Sequence, residues 1–280
     1  MPAPEYKGSY AGREYPRPKT MENNEANYAG KPNWVRAQRN TWHGVDGMYN
    51  HTVEYNDFTR RYAETMRSVD DSVGRLYAAL KETGLKAASL CCSTHWNLTL
   101  SHPSEDTRAK GLEGLLQSLR DAKAYGATSV LLVPGVVNNN VTYEQCFERS
   151  VEQIKKAIPT AQECGVKIAI ENVWNNFITK PQQADDFLKA INSEWFGWHF
   201  DIGNAGRVGP AERWIQVLGK RIVRVHIKDY SARPANPAAK AGARPKLLEG
   251  DTNWPAVMRA LDQAGYSGWA ISERAVSSMS

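Results

Sequence analysis

Glu171, Asp201, His226 and Glu273 are the residues of this 280-residue chain whose types and spacing are best suited to act together. Each stands at or near the end of a short apolar run, in KIAIE, GWHFD, IVRVH and GWAISE. They lie 30, 25 and 47 residues apart, which matches a repeating strand–helix unit of roughly 30 residues whose last copy is lengthened by a loop. Two glutamates, an aspartate and one imidazole form a mostly hard-oxygen donor set. It suits one divalent ion of the Mn²⁺, Mg²⁺ or Co²⁺ kind better than structural zinc, and it leaves a coordination position open for ligand oxygens. A single carboxylate after a strand is ordinarily a cap or a surface charge; four residues at the same relative position form a constellation.

The elements that must position them follow from periodicity. Strand-length apolar runs occur at KAASLCC (86–92), TSVLLVPG (128–135), KIAIEN (167–172), GWHFDIGN (197–204), IVRVHIKD (222–229) and GWAISE (268–273). Between them lie amphipathic stretches such as TRAKGLEGLLQSLRDAKAYG, YEQCFERSVEQIKKAIPTAQECG, PQQADDFLKAIN and WPAVMRALDQAGY, which predict helices ending at Gly or a turn. Alternating strand and helix implies a parallel sheet with crossover helices. Near-continuous runs such as VLLV predict strands covered on both faces. The fold class is therefore α/β, a (β/α)8 TIM-barrel-like body whose active face lies at the strand C-termini. Six strands are evident. The first two of a complete barrel are not found in residues 1–75, and the last helix is cut short after Glu273 by RAVSSMS. Residues 1–55 predict an irregular arm, and 56–280 the barrel domain, opening with an amphipathic helix from about Asp57 to Gly84 that carries Val73, Leu76 and Leu80 on one face.

Bulk properties narrow the function. The formal charge of +5 comes from scattered Lys and Arg with no basic run, so no nucleic-acid partner is expected. No apolar stretch approaches the ~20 residues that span a bilayer, and MPAPEYKGSYAGREYPRPKT lacks the apolar segment of a signal peptide. Four cysteines with no CxxC pair suit a reducing compartment, and the expectation is a cytoplasmic protein without membrane partners. Neither a dinucleotide fingerprint nor a phosphate-binding Walker loop is present.

The segments IAIENVWN, FDIGNAG, VHIKDY, LLEGDTNWPAV and GWAISE, with THW at 94–96 and VPGVV at 133–137, resemble the sugar phosphate isomerase/epimerase group of the xylose-isomerase-like superfamily over about residues 75–276. The resemblance implies that Glu171, Asp201, His226 and Glu273 are metal ligands and that Glu171 and Glu273 are the paired acid/base carboxylates. It implies a metal-dependent isomerase or epimerase of a keto-sugar or sugar phosphate, working by proton abstraction next to a metal-bound carbonyl through an enediolate. Return of the proton to the opposite face gives an epimer; return to the neighbouring carbon gives an aldose/ketose isomer.

Around that core the same reasoning nominates substrate contacts. His95 and Trp96, just past KAASLCC, could hydrogen-bond a hydroxyl and stack on a sugar face. Asn172 and Trp174 follow Glu171 and are expected to line the same mouth, and Asn204 in DIGN leans toward a sugar phosphate or related acidic substrate. Lys228 and Arg274 could bind a phosphate or carboxylate, or form outward salt bridges. Glu249 belongs to a loop in which Gly250 allows a tight turn near ligand. His199, two residues before Asp201, shares its strand parity and is either a packed core residue or a donor behind the ligands.

Rival functions are an abasic-site DNA endonuclease, which needs more strand-end histidines than these six supply, a metal-dependent dehydratase or hydrolase of keto-sugar or inositol derivatives, and a non-catalytic remnant barrel. An incomplete barrel exposes strand edges, so a homo-oligomer is a possible partner arrangement.

Overall fold

The computed structural model describes residues 2–38, 54–232 and 245–273. Packing divides the chain into two units, Met1–Leu85 and Lys86–Ser280.

In the first unit, the expected irregular arm contains short helical turns: 3₁₀ turns at Pro4–Tyr6 and Lys19–Met21, then α1 (Glu25–Tyr28) and α2 (Asn33–Ala37). The long helix α3 (Tyr55–Thr83) ends at Gly84, whose φ of 70° supplies the left-handed cap that its sequence position implies. One face of α3 holds the polar arm. Glu64 is buried and accepts the backbone N–H of Gly8 and Tyr10, while Ser68 accepts that of Ala3. Along the expected apolar face of α3, Val73 and Leu76 are exposed and Leu80 is half-buried.

The second unit is a curled parallel sheet of six strands in the order β1 to β6, a half-barrel. Its strands are β1 (Leu90–Cys91), β2 (Ser129–Leu132), β3 (Lys167–Glu171), β4 (Phe196–Asp201), β5 (Ile222–Ile227) and β6 (Ala270–Ser272). All six coincide with the apolar runs. Covering helices are α4 (Glu105–Tyr125), α5 (Tyr143–Cys164), α6 (Pro181–Ile191), α8 (Ala211–Leu218) and α9 (Trp254–Gln263), with a single turn, α7 (Ile202–Gly206), directly after β4. Periodicity had not marked α7 or α8, because eight residues and five residues are too short for a helical repeat to stand out. No strand precedes β1 among the described residues, as expected; the region of the shortened last helix, 274–280, lies outside them.

Strands buried on both faces require partners on both sides. On the outer side, Ile168, Ile170, Trp198 and Phe200 pack under helices that contribute Leu115, Leu119, Ile154, Phe187, Trp214 and Ile215, all at most 1% exposed. Phe187 meets Phe147 and Phe177 edge-on at centroid distances of 5.2 and 5.5 Å. On the inner side, Arg224 of β5 reaches Ala88 O at 3.0 Å and also bonds Thr128 Oγ1, groups that precede β1 and β2. One side chain thus spans the interior from the fifth strand to the first two, which shows how tightly the sheet curls.

One irregularity matters for function. Trp198 pairs with Ile222 but His199 pairs with Arg224, so β5 gains a residue against β4. Gly197 permits the close approach, since a Cβ there would lie 2.5 Å from Val223 Cγ2 and 2.7 Å from Arg221 O. After the bulge, His199 and Asp201 stand opposite Arg224 and His226.

Replacing Phe187 by Ala removes the centre of the aromatic cluster from a fully buried site, and a loss of about 3–5 kcal/mol in unfolding free energy is expected from urea denaturation.

Candidate metal centre

Parallel strands bring their C-terminal ends to one face, and the bulged register aligns them further: Glu171 pairs with His199, and Asp201 with His226. Glu273, one residue past β6, donates its N–H to Ile227 O at 3.2 Å and so joins the same row. One ligand atom from each of Glu171, Asp201, His226 and Glu273 lies within 4.8 Å of the others. His226 Nδ1 is the hub, 2.9 Å from Glu171 Oε1, 3.3 Å from Glu273 Oε2 and 3.6 Å from Asp201 Oδ2.

Asp201 does two jobs at once. Its Oδ1 accepts the N–H of Asn204 at 2.7 Å, capping α7, which fixes the carboxylate and leaves Oδ2 facing the cluster. Asn172 fixes its backbone, accepting Asp201 N–H on Oδ1 and donating from Nδ2 to Asp201 O, both at 2.9 Å. Asn172 Oδ1 also accepts the Trp198 indole N–H at 3.2 Å. Asn172, expected to line the mouth, is buried against the Asp201 backbone and also borders a cavity with Trp174 and Asn204.

Charge and burial set the protonation of the group. Burial raises the Glu171 carboxyl above its ordinary range, and the neighbouring Asp201 charge adds to this while His226 opposes it. Burial acts upward on Asp201 too, but His226, Lys228 and the Asn204 N–H outweigh it and hold that carboxyl low. Burial works against a charged His226, yet Asp201 and Glu171 overcome it and lift the imidazole to about 9. His199, whose ring lies tilted against His226 at a centroid distance of 4.1 Å, is driven down to about 3 by burial and by the His226 charge, and neither of its ring nitrogens has a hydrogen-bond partner.

These residues fit a divalent ion. Three carboxylate oxygens and one imidazole nitrogen converge, and Asp201 Oδ2 is fully buried without an aligned hydrogen bond, with the Lys228 ammonium at 2.7 Å and His226 Nδ1 at 3.6 Å.

The other nominated residues divide. Lys228 is in the cluster, 2.9 Å from Glu273 Oε2 as well, so it is committed to the acidic residues and forms no outward salt bridge. His95 is buried; its Nδ1 accepts the Val133 N–H at 3.4 Å, its Nε2 has no partner, and its ring meets Trp96 edge-on at 5.1 Å. Trp96 is 56% exposed. Trp174 donates its indole N–H to Asn204 O at 3.4 Å and carries the Arg207 guanidinium 4.7 Å from its ring. Asn204 is itself buried beneath it, behind Asp201. Glu249 is exposed, with Lys246 as a distant partner at 4.0 Å, and Arg274 lies outside the described residues.

Two contributors had less prominence in the sequence. Asp229 accepts five hydrogen bonds, from the N–H of Tyr230, Leu248, Gly250 and Thr252 and from the Trp254 indole. They hold its carboxyl below the usual range against the upward push of burial and clasp the loop bearing Glu249 to the end of β5. Gly250 has no room for a side chain, as a Cβ would meet Asp229 Oδ1 at 2.2 Å. Cys91, at the end of β1, has its thiol pushed up by burial and by the charges of Glu171 and Glu273. Its place at a strand C-terminus was the available signal.

A half-barrel with acidic residues and a histidine at its strand ends is the class that this geometry defines. The chain belongs to the xylose isomerase-like TIM barrel family, which matches residues 51–277. It is 26% identical over 200 residues to L-ribulose-5-phosphate 3-epimerase UlaE of Salmonella paratyphi A, an alignment covering 69% of this chain and 66% of that protein. The Escherichia coli K12 DH10B counterpart is 25% identical over 196 residues with the same coverage. The chain thus spans 66% of the length of these curated relatives, which are sugar epimerases. Among solved structures, a D-tagatose 3-epimerase-like protein superposes with a TM-score of 0.61 at 21% identity, covering 72% of this chain and 75% of that one. The IolI protein with a bound zinc atom does so at 0.60 and 19%, covering 74% and 76%.

Burial holds the His95 imidazole down to about 4. Because the unfolded histidine titrates near 6.5, the unfolded chain takes up this proton first as the pH falls; stability is therefore lost from about pH 6.5 toward 4, by at most about 1.4 kcal/mol per pH unit. His95→Leu should flatten that acid limb in a series of melts, whereas an unchanged slope would show that His95 titrates normally.

Proposed function

We propose that this chain is a divalent-metal-dependent epimerase or isomerase of a keto-sugar or ketose phosphate. The observation that carries the reading is the convergence of Glu171, Asp201, His226 and Glu273 at the strand ends. The sugar-epimerase names of its relatives support the substrate class and favour epimerisation.

Glu171, Asp201, His226 and Glu273 would hold the ion, which supplies Lewis acidity to a carbonyl and so acidifies the adjacent C–H. The remaining chemistry belongs to the two glutamates. Glu171 from β3 and Glu273 from the end of β6 approach His226 Nδ1 at 2.9 and 3.3 Å, and in this reading their carboxylates act on opposite faces of one substrate carbon. One takes the proton from the carbon beside the carbonyl, and the other returns a proton to the opposite face, inverting that centre. Burial of Glu171 raises its proton affinity above that of an exposed carboxylate, the direction that suits a group which takes up and returns a proton. Exposed Trp96 and Trp174, with Arg207 stacked on the latter, offer apolar faces and a cation to the rest of a sugar phosphate.

A reducing, cytoplasmic setting belongs to the proposal and is supported by four free cysteines; no helix among the described residues is long and apolar enough to cross a membrane. Among the described residues β1 and β6 each pair on one side only, which favours, as a second reading, a non-catalytic barrel or one completed in a homo-oligomer.

The deciding experiment incubates metal-loaded protein with ketoses and ketose 5-phosphates in D₂O and follows deuterium incorporation by NMR. Exchange at the carbon next to the carbonyl is expected, and Glu171→Gln should lower it by about 10²-fold or more while the melting curve is retained. Absence of exchange across the panel, in protein shown to contain metal, would sink the epimerase reading, and a metal-free, unreactive protein would select the remnant barrel.

A further inference from the structure

The metal reading above uses the carboxylates and His226 but leaves Lys228 without a role. Lys228 follows His226 by two residues and shares its inward parity. Its ammonium lies 2.7 Å from Asp201 Oδ2 and 2.9 Å from Glu273 Oε2, the same two oxygens that face His226 Nδ1 at 3.6 and 3.3 Å. The side chain is only 6% exposed, so this is no solvated surface pair.

The neighbouring backbone is shaped to admit it. Gly203, in the first turn after β4, lies against the lysine stem, where a Cβ would come within 2.5 Å of Lys228 Cγ and 2.9 Å of Lys228 O. Asp229 fixes the next residue through its five hydrogen bonds, so the strand end that carries Lys228 is held in place. A cation delivered by this route to two proposed ligand oxygens competes, through charge, with any other cation that binds them.

We propose that Lys228 is a resident cation of the centre, which neutralises Asp201 and Glu273 when the divalent ion is absent and opposes that ion's binding through the same oxygens. The role rests on the metal reading above. It makes Lys228 a determinant of metal affinity, lowering it, and a source of stability in the metal-free protein.

The test is calorimetric titration of the full chain with Mn²⁺, comparing wild type, Lys228→Met and Lys228→Gln, with melting of the EDTA-treated proteins alongside. Both variants should bind Mn²⁺ about tenfold more tightly or better. Their metal-free melting temperatures should fall by about 3 °C or more, and saturating Mn²⁺ should recover the loss. A lysine that merely packs against or supports the ligands would weaken metal binding on removal. Equal or weaker Mn²⁺ affinity in both folded variants overturns this inference and leaves the metal reading intact. Absence of Mn²⁺ binding in all three proteins overturns the metal reading and this inference with it.

Discussion

Three carboxylates gathered within a few ångströms at the end of a buried sheet are mutually repulsive and poorly solvated, and the rest of this structure is arranged around supplying positive charge to them. Asp201 is completely buried, and Glu171 and Glu273 are partly so. Burial of unpaired charge costs several kcal/mol per ion, so such a cluster persists only with cations in contact. Two come from one segment. His226 on β5 and Lys228, one residue past its end, reach all three acids, which makes the register of β5 against β4 the controlling geometric quantity. The bulge beside Gly197 sets that register, because a slip of one residue would turn both cations away.

A second buried acid is handled in a different way. The oxygens of Asp229 accept backbone N–H groups and one indole. That neutralises its cost locally and converts the carboxylate into a clasp between the end of β5 and the segment leading into α9. The two solutions sit on adjacent residues, Lys228 and Asp229, so the strand end that delivers a cation inward also anchors a loop outward. Asn172 has a comparable role on the neighbouring strand, spending its whole side-chain amide on the backbone of Asp201 and on the Trp198 indole. Precision at the centre comes from these neutral or self-contained groups behind it.

The sheet that carries this centre has two ends, β1 and β6, and each pairs on one side only among the described residues. Curling is nevertheless pronounced, with Arg224 joining β5 to the segments entering β1 and β2 across the interior. The family's barrel architecture is therefore expressed here as a half-barrel that retains the strands bearing the acidic residues and the histidine.

Much of this was legible in the amino-acid order. Strands covered on both faces must be apolar throughout, so VLLV and KIAIE announced themselves, and parallel connection by helices forces the strand C-termini to one face, so Glu171, Asp201, His226 and Glu273 could be grouped without coordinates. Helix ends at Gly84, Gly126 and Gly165 were visible because a left-handed cap favours glycine. Short α7 and α8 escaped notice, since periodicity needs length. What only the tertiary structure decided was which polar neighbours of these four residues face the cluster and which stand behind it. Asn172 and Asn204, read as substrate contacts, also brace Asp201, and Lys228, read as an anion site or an outward salt bridge, is paired with the acids. Those outcomes depend on side-chain direction after a strand ends and on a one-residue bulge, where the strict alternation that a sequence can express no longer holds.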